Sequence, residues 1–361
     1  MKNFRCLLFL FFALSMSVPA FADDAHGRIL TFDVPGAGTD TGQGTFPVAL
    51  NAFGEIVGWY VDAGNTSHGF ARMADGTFIT FDVPGSVSTA AYAINLEGAI
   101  VGPYFDANFV RHGFLRTRDG RIITVDGGPS GRVTVASNIN VFGAISGGFI
   151  DANNVKSCYL RAPDGKLTTF IPSSVAADAR TACTTFTTDA LNDFGAMAGY
   201  SVAADRTGHS WIRARDGKFT ALDVDGAGTG PGQGTFAAGI NWGGTVPGWV
   251  VDSNDVTHGF VRASNGNVAT FDVDGAGTGP GEGTFVATIN GFGALTGWVV
   301  DANDVNHAFI RAPNGRVTTF DVDGAGTAPG QGTLGGANND VGEVTGGYFD
   351  ANGVSHGFLR Q

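Results

Sequence analysis

Positive charge is the first thing this 361-residue chain is short of: 21 Lys and Arg stand against 33 Asp and Glu, a net charge of −12. Such a surface repels phosphate backbones and anionic lipid, so nucleic acid and membrane surfaces are poor partners. Cysteine is nearly missing, with three residues in all. Past residue 22 no apolar run approaches the ~20 residues a membrane-spanning helix needs. No stretch carries helical periodicity. Glutamate is scarce, and neither a Gly-x-Ser-x-Gly elbow nor a His-Glu-x-x-His pair is present. The common hydrolase and zinc-protease signatures are therefore excluded.

What remains is glycine, 57 residues of it, at fixed places in a repeat rather than in a disordered tract. Asn-x-x-Gly, with a second Gly four residues on, occurs at Asn51, Asn95, Asn140, Asn192, Asn241, Asn290 and Asn339. Around it the unit reads T-F-x-x-x-I-N-x-x-G-x-I-x-G-x-x-x-D-A-N-x-V-x-H-G-F-x-R-x-x-D-G-x-x-T-F-D-V. Each copy holds four short β-type runs separated by turn residues. In the sixth these are expected near 283–290, 293–301, 306–311 and 316–321. The last copy stops after His356-Gly-Phe-Leu-Arg360, and residues 28–34 supply the segment that follows in every other copy. An open stack has no reason to split a unit this way. The expected fold is all-β, a seven-bladed β-propeller over residues 23–361, with the N-terminal strand completing the C-terminal repeat. The Asn and Asp-Gly turns should share one face. The longer acidic loops should share the other, where a binding site is expected.

Residues 1–22 read as a secretory signal: Lys2 and Arg5, an apolar run from Cys6 to Val18, and Ala20-Phe21-Ala22 as the cleavage site. The chain is expected to be secreted or periplasmic, without membrane insertion and monomeric. Cys6 leaves with the signal, and in an oxidising compartment Cys158 and Cys183 are expected to pair.

The triplets His307-Ala-Phe309 and His-Gly-Phe at 68–70, 112–114, 258–260 and 356–358, with the Ile-Asn-x-x-Gly-x-Ile-x-Gly and Thr-Phe-Asp-Val-Pro-Gly blocks, resemble the HAF-repeat family of extracellular repeat proteins. Ser157-Cys-Tyr159 and His209-Ser-Trp211 depart from the triplet. The resemblance implies export and a β-repeat architecture; it brings no reaction and no catalytic residues.

Candidate chemistry follows the repeat. Five histidines (68, 112, 258, 307, 356) have an Asp six residues earlier, which reads as a loop-pinning hydrogen bond repeated with the blade. Asp252-Ser-Asn254-Asp255, Asp301-Ala-Asn303-Asp304 and Asp350-Ala-Asn352 alternate oxygen ligands as calcium loops do, without the distal Glu of an EF-hand; turn chemistry explains them as well. Gly-Ala-Gly-Thr-x-x-Gly-x-Gly-Thr at 36–45, 226–235, 275–284 and 324–333 lacks a P-loop Lys. Trp59, Tyr104, Phe149, Tyr200, Trp249, Trp298 and Tyr348 form one aromatic per unit, read as packing between blades, with stacking on sugar rings as the alternative if they are exposed. The function expected is a binding or scaffolding module for carbohydrate or an extracellular protein. The alternative is a polysaccharide hydrolase or lyase on the long-loop face. Lys156, Arg180, Arg206, His209 and Trp211, from the divergent third and fourth units, are the candidate ligand contacts.

Overall fold

A computed structural model describes residues 27–128, 133–172 and 190–361, together with the backbone of 181–184. Among the described residues there is no helix, and so none long and apolar enough to cross a membrane. The sixth unit is Gly283–Ile289, Leu295–Val300, Asn306–Arg311 and Val317–Phe320, each strand antiparallel to the next. These bounds match the sequence expectation to within two residues. The first unit repeats it with Gly44–Leu50, Ile56–Val61, Ser67–Arg72 and Phe78–Phe81. In the second the inner strand is broken into Ser86–Thr89 and Ala93–Ile94.

The two glycines of the marker do different work. Gly293 takes φ +91° and donates its N–H to the Asn290 carbonyl at 3.1 Å, closing the turn. Gly297 lies where the inner strand shifts register between Val286 and Thr288. A Cβ there would sit 2.0 Å from the Phe285 carbonyl oxygen. The bulge brings two backbones too close for any side chain.

The hydrophobic core lies between units rather than within them. Val286, Ile289, Leu295 and Phe309 of the sixth unit pack on Val261, Phe271 and Val273 of the fifth. The aromatic that ends each triplet is the anchor: Phe70, Phe114, Tyr159, Trp211, Phe260, Phe309 and Phe358 are all completely buried. Two residues on, where the preceding rim strand ends in Phe, the Arg guanidinium covers that ring, as Arg311 covers Phe271 at 4.6 Å and Arg360 covers Phe320 at 5.2 Å.

The ends of the chain meet in the same pattern. Ile29–Phe32 pairs antiparallel with Ser355–Arg360, with Ile29 opposite Arg360 and Phe32 opposite Gly357. Arg72 of the first unit covers Phe32 at 5.1 Å, as it would cover the rim of a preceding unit. Leu50, Ile56 and Phe70 pack on Ala337, Leu359 and Val34.

Candidate functional site

On the long-loop face His68, His112, His258, His307 and His356 each lie between two carboxylates, while His209 lies between a carboxylate and the Thr207 hydroxyl. Nδ1 bonds the Asp at the end of the rim strand, fourteen residues later in His68–Asp82, His112–Asp126, His209–Asp223, His258–Asp272 and His307–Asp321 and supplied by the N-terminal strand in His356–Asp33, at 2.8–3.1 Å. The Asp six residues earlier lies at 3.4–3.8 Å from Nε2. The sequence pairing thus found the looser partner. The tighter one is fixed by the antiparallel register of the third and fourth strands, which spacing alone does not reveal. Burial draws the pKa of His68 and His307 down, but the bonds and charges of Asp82 and Asp62, and of Asp321 and Asp301, outweigh it and leave both raised.

The calcium candidates are occupied by their own loops. Asp301 Oδ1 accepts from Asn303 N and Val305 N at 2.8 Å, and its other oxygen accepts from Asn303 Nδ2. Asp252 with Asn254, and Asp350 with Asn352, repeat this. Asp255 and Asp304 take positive φ, 63° and 59°. Asp255 Oδ1 accepts from Gln233. These are turn geometries, and among the described residues no group of three or more His, Cys, Asp or Glu is arranged to hold a metal ion. The glycine-rich loops are stitched to the loop of the preceding unit: Gly281 N bonds Asp255 O, Gly330 N bonds Asp304 O, and Gly42 N bonds Gly353 O.

The residues proposed from the divergent units scatter. Lys156 opens the strand Lys156–Arg161 and is half-buried. Arg206 is exposed at φ 71°, with its carbonyl accepting from Gly232 N. His209 is held by Asp223 and Thr207. Arg180 lies outside the described residues. Trp211 is fully buried, so it is a core anchor and not a ligand contact; it stands where other units place Phe. Cys158 is fully buried, and its strand lies beside the strand of Cys183, Thr181–Thr184.

The aromatic stripe splits in two. Strand alternation puts Trp59, Tyr200, Trp249 and Trp298 on one face. There Phe46–Trp59, Phe236–Trp249 and Phe285–Trp298 stack at 5.5–5.6 Å, and Trp249 reaches Phe285 of the next unit. Tyr104 and Tyr348 turn the other way and stack on His112 and His356. Both sets are joints of the framework.

Two recesses flank His307. One, of about 1140 Å³, is lined by Arg28, Asp274, Asp301, His307, Thr318, Thr319, Asp321, Asp323 and Arg360 among others. The other, of about 600 Å³, is lined by Asp301, Asn303, Asp304, Val305, His307, Thr327 and Pro329. Sequence reading singled out Asp301, Asn303 and Asp304. It missed Thr318 and Thr319, because their meeting with Arg28 and Arg360 depends on how chain ends and neighbouring units pack.

The opposite face holds the Asn turns. Each buried Asn side chain donates to a backbone carbonyl of the next turn: Asn51 to Asn95, Asn95 to Asn140, Asn140 to Asn192, Asn192 to Asn241, Asn241 to Asn290 and Asn290 to Asn339. Asn339 then donates to the carbonyl of Asn51 at 3.1 Å, and the circuit returns to its start. A cavity of about 250 Å³ lies within it, reached by Leu50, Asn95, Ile139, Asp193, Ile289 and Asp340.

No family model and no curated protein matches this chain. Solved structures do. An inactive virginiamycin B lyase from Staphylococcus aureus with quinupristin is 14% identical, covering 92% of this chain and 99% of its own, with a TM-score of 0.56. The BP39L lectin from Burkholderia pseudomallei is 12% identical over 87% and 95%, also at 0.56. The β-propeller domain of the trilobed protease from Pyrococcus furiosus is 9% identical over 88% and 96%, at 0.50. At these identities the likeness is one of fold, and the fold is a β-propeller.

Proposed function

We propose that this chain is an exported, seven-bladed β-propeller of the HAF-repeat type that binds carbohydrate on its long-loop face. The carrying observation is the recess beside His307. Carboxylates (Asp274, Asp301, Asp321, Asp323), hydroxyls (Thr318, Thr319) and two guanidinium groups line it. Such a wall matches a polyol, which needs many hydrogen bonds and little apolar area. Seven blades and a closed ring are supported by the seven-membered asparagine circuit and by the strand pair at residues 29–32 and 357–360. Closure would hold the recess rigid, because Arg28 and Arg360 come from that pair. A Cys158–Cys183 disulfide and cleavage near Ala22 belong to the same proposal, and mass spectrometry of the exported protein checks both.

The test is retention of the protein on a polysaccharide panel, with released sugar ends assayed in the same tubes. Binding without release is expected, and it should weaken in Asp323→Asn with Thr319→Ala. Sugar release would make the protein an enzyme. Retention unchanged in the double variant would move the ligand away from His307.

A further inference from the structure

The Asn turns put an apolar side chain where a short turn normally faces water. One or two residues past each Asn stand Phe53, Leu96, Phe142, Phe194, Trp242, Phe292 and Val341, and all are exposed, from 37% for Leu96 to 67% for Phe142. Two neighbouring members touch: the Trp242 and Phe292 rings meet edge to face at 6.4 Å. They stand as a crown on the seven Asn turns, most of which line the axial cavity, and Leu96 lines it directly. None of them is needed for the turn, which the Asn side chain and the first Gly already close. Exposed aromatics gathered in one patch mark a contact surface.

The charges of the same turns say what kind of partner fits. Residues 51–55, 95–99, 140–144, 192–196, 241–245, 290–294 and 339–343 contain Glu55, Glu97, Asp193, Asp340 and Glu343, and no Lys or Arg. Arg118 reaches in from its own turn to bond Glu55 at 2.8 Å. Lys166, Arg215, Lys218 and Arg316 belong to the turns between third and fourth strands, farther from the axis. An acidic inner ring opposes a second copy stacked face to face, since carboxylates would meet carboxylates. It opposes an anionic membrane for the same reason.

We propose that this face docks a basic, amphipathic peptide segment of a partner protein, its apolar side chains on the crown and its Lys or Arg over Asp193, Asp340 and Glu97. The site is distinct from the carbohydrate recess and does not depend on it.

The test uses dye-labelled synthetic peptides of leucine with lysine and of leucine with glutamate, titrated by fluorescence anisotropy against the full exported protein. The lysine peptide should bind saturably and the glutamate peptide should not. Phe142→Ser with Phe194→Ser should weaken binding roughly tenfold or more. Asp193→Asn with Asp340→Asn should weaken it too and flatten its salt dependence. Phe142, Phe194 and Asp340 are exposed and Asp193 is half-buried, Asn keeps the oxygen that accepts the Val141 and Gly291 N–H groups, and unchanged circular dichroism and melting show that the variants fold. Equal binding of both peptides, or variants that bind like the parent, would overturn the proposal. So would sedimentation showing a dimer that the Phe variant dissociates, or Phe-dependent pelleting with phosphatidylglycerol vesicles. Polysaccharide retention should be the same in all these proteins.

Discussion

Replacing Asn290 by Ala tests how much the asparagine circuit holds. Asn290 is 4% exposed. Its Oδ1 accepts from Ala294 N at 2.9 Å and its Nδ2 donates to the Asn339 carbonyl at 3.0 Å. That carbonyl keeps a bond from Gly342 N, so the larger loss is on the other side, where the Ala294 N–H is left without a partner. An orphaned buried donor costs about 1–3 kcal/mol and a lost hydrogen bond about 0.5–1.5 kcal/mol. The sum is about 2–4 kcal/mol. For a domain of this size that lowers Tm by about 4 °C. Asn290→Asp keeps the acceptor but turns a carboxylate toward a carbonyl. Its folded pKa should be raised, so this variant should gain stability as the pH falls toward 4. Asn314→Ala is the control: Asn314 Oδ1 also accepts a turn N–H, from Arg316, but in an exposed turn, and the cost should stay under about 1 kcal/mol. Calorimetry and denaturant melts read all three. If Asn290→Ala and Asn314→Ala melt alike, the circuit contributes nothing beyond an ordinary turn.

Deleting residues 27–34 removes buried Val34, and Phe32 from against Phe70 and Phe78, about 4–5 kcal/mol with the partly covered Ile29 and Leu30; a truncated protein that melts like the parent refutes the role of that strand. Gly297→Ala should cost about 2–3 kcal/mol in a denaturant melt, because the new methyl meets the Phe285 backbone rather than a movable side chain. Stability should fall as the pH rises past about 6.5. The raised His68 and His307 contribute fully below that ordinary value and lose the contribution as pH climbs through their folded pKa. At the acid end, the Thr66 N–H holds Asp62 low, and the Val305 and Asn303 N–H groups outweigh burial at Asp301; stability is lost there as pH falls through their depressed values. Melting between pH 3 and 9 checks both limbs, and His68→Gln with His307→Gln should remove the alkaline one.

The sequence alone determined the repeat, its strands and its turns. Gly293 and Gly297 could be read as fixed points, and period-2 alternation located Leu295–Val300, because these signals are local. It also pointed to the pairing of the two chain ends, since a unit cut at Arg360 and resumed at Arg28 has no other partner. The tertiary structure decided which residues meet across strands and units. His307 proved nearer to Asp321 than to Asp301, because strand register, not loop spacing, sets the distance. Trp211 went into the core because its position is the one every other unit fills with Phe, Tyr or a like ring. Phe142 and Phe194, written in the same alphabet as the core, stayed in solvent, because they sit in the turn beyond the strand and no neighbouring unit reaches over them. Burial is a property of packing between units, and a repeat read one unit at a time does not contain it.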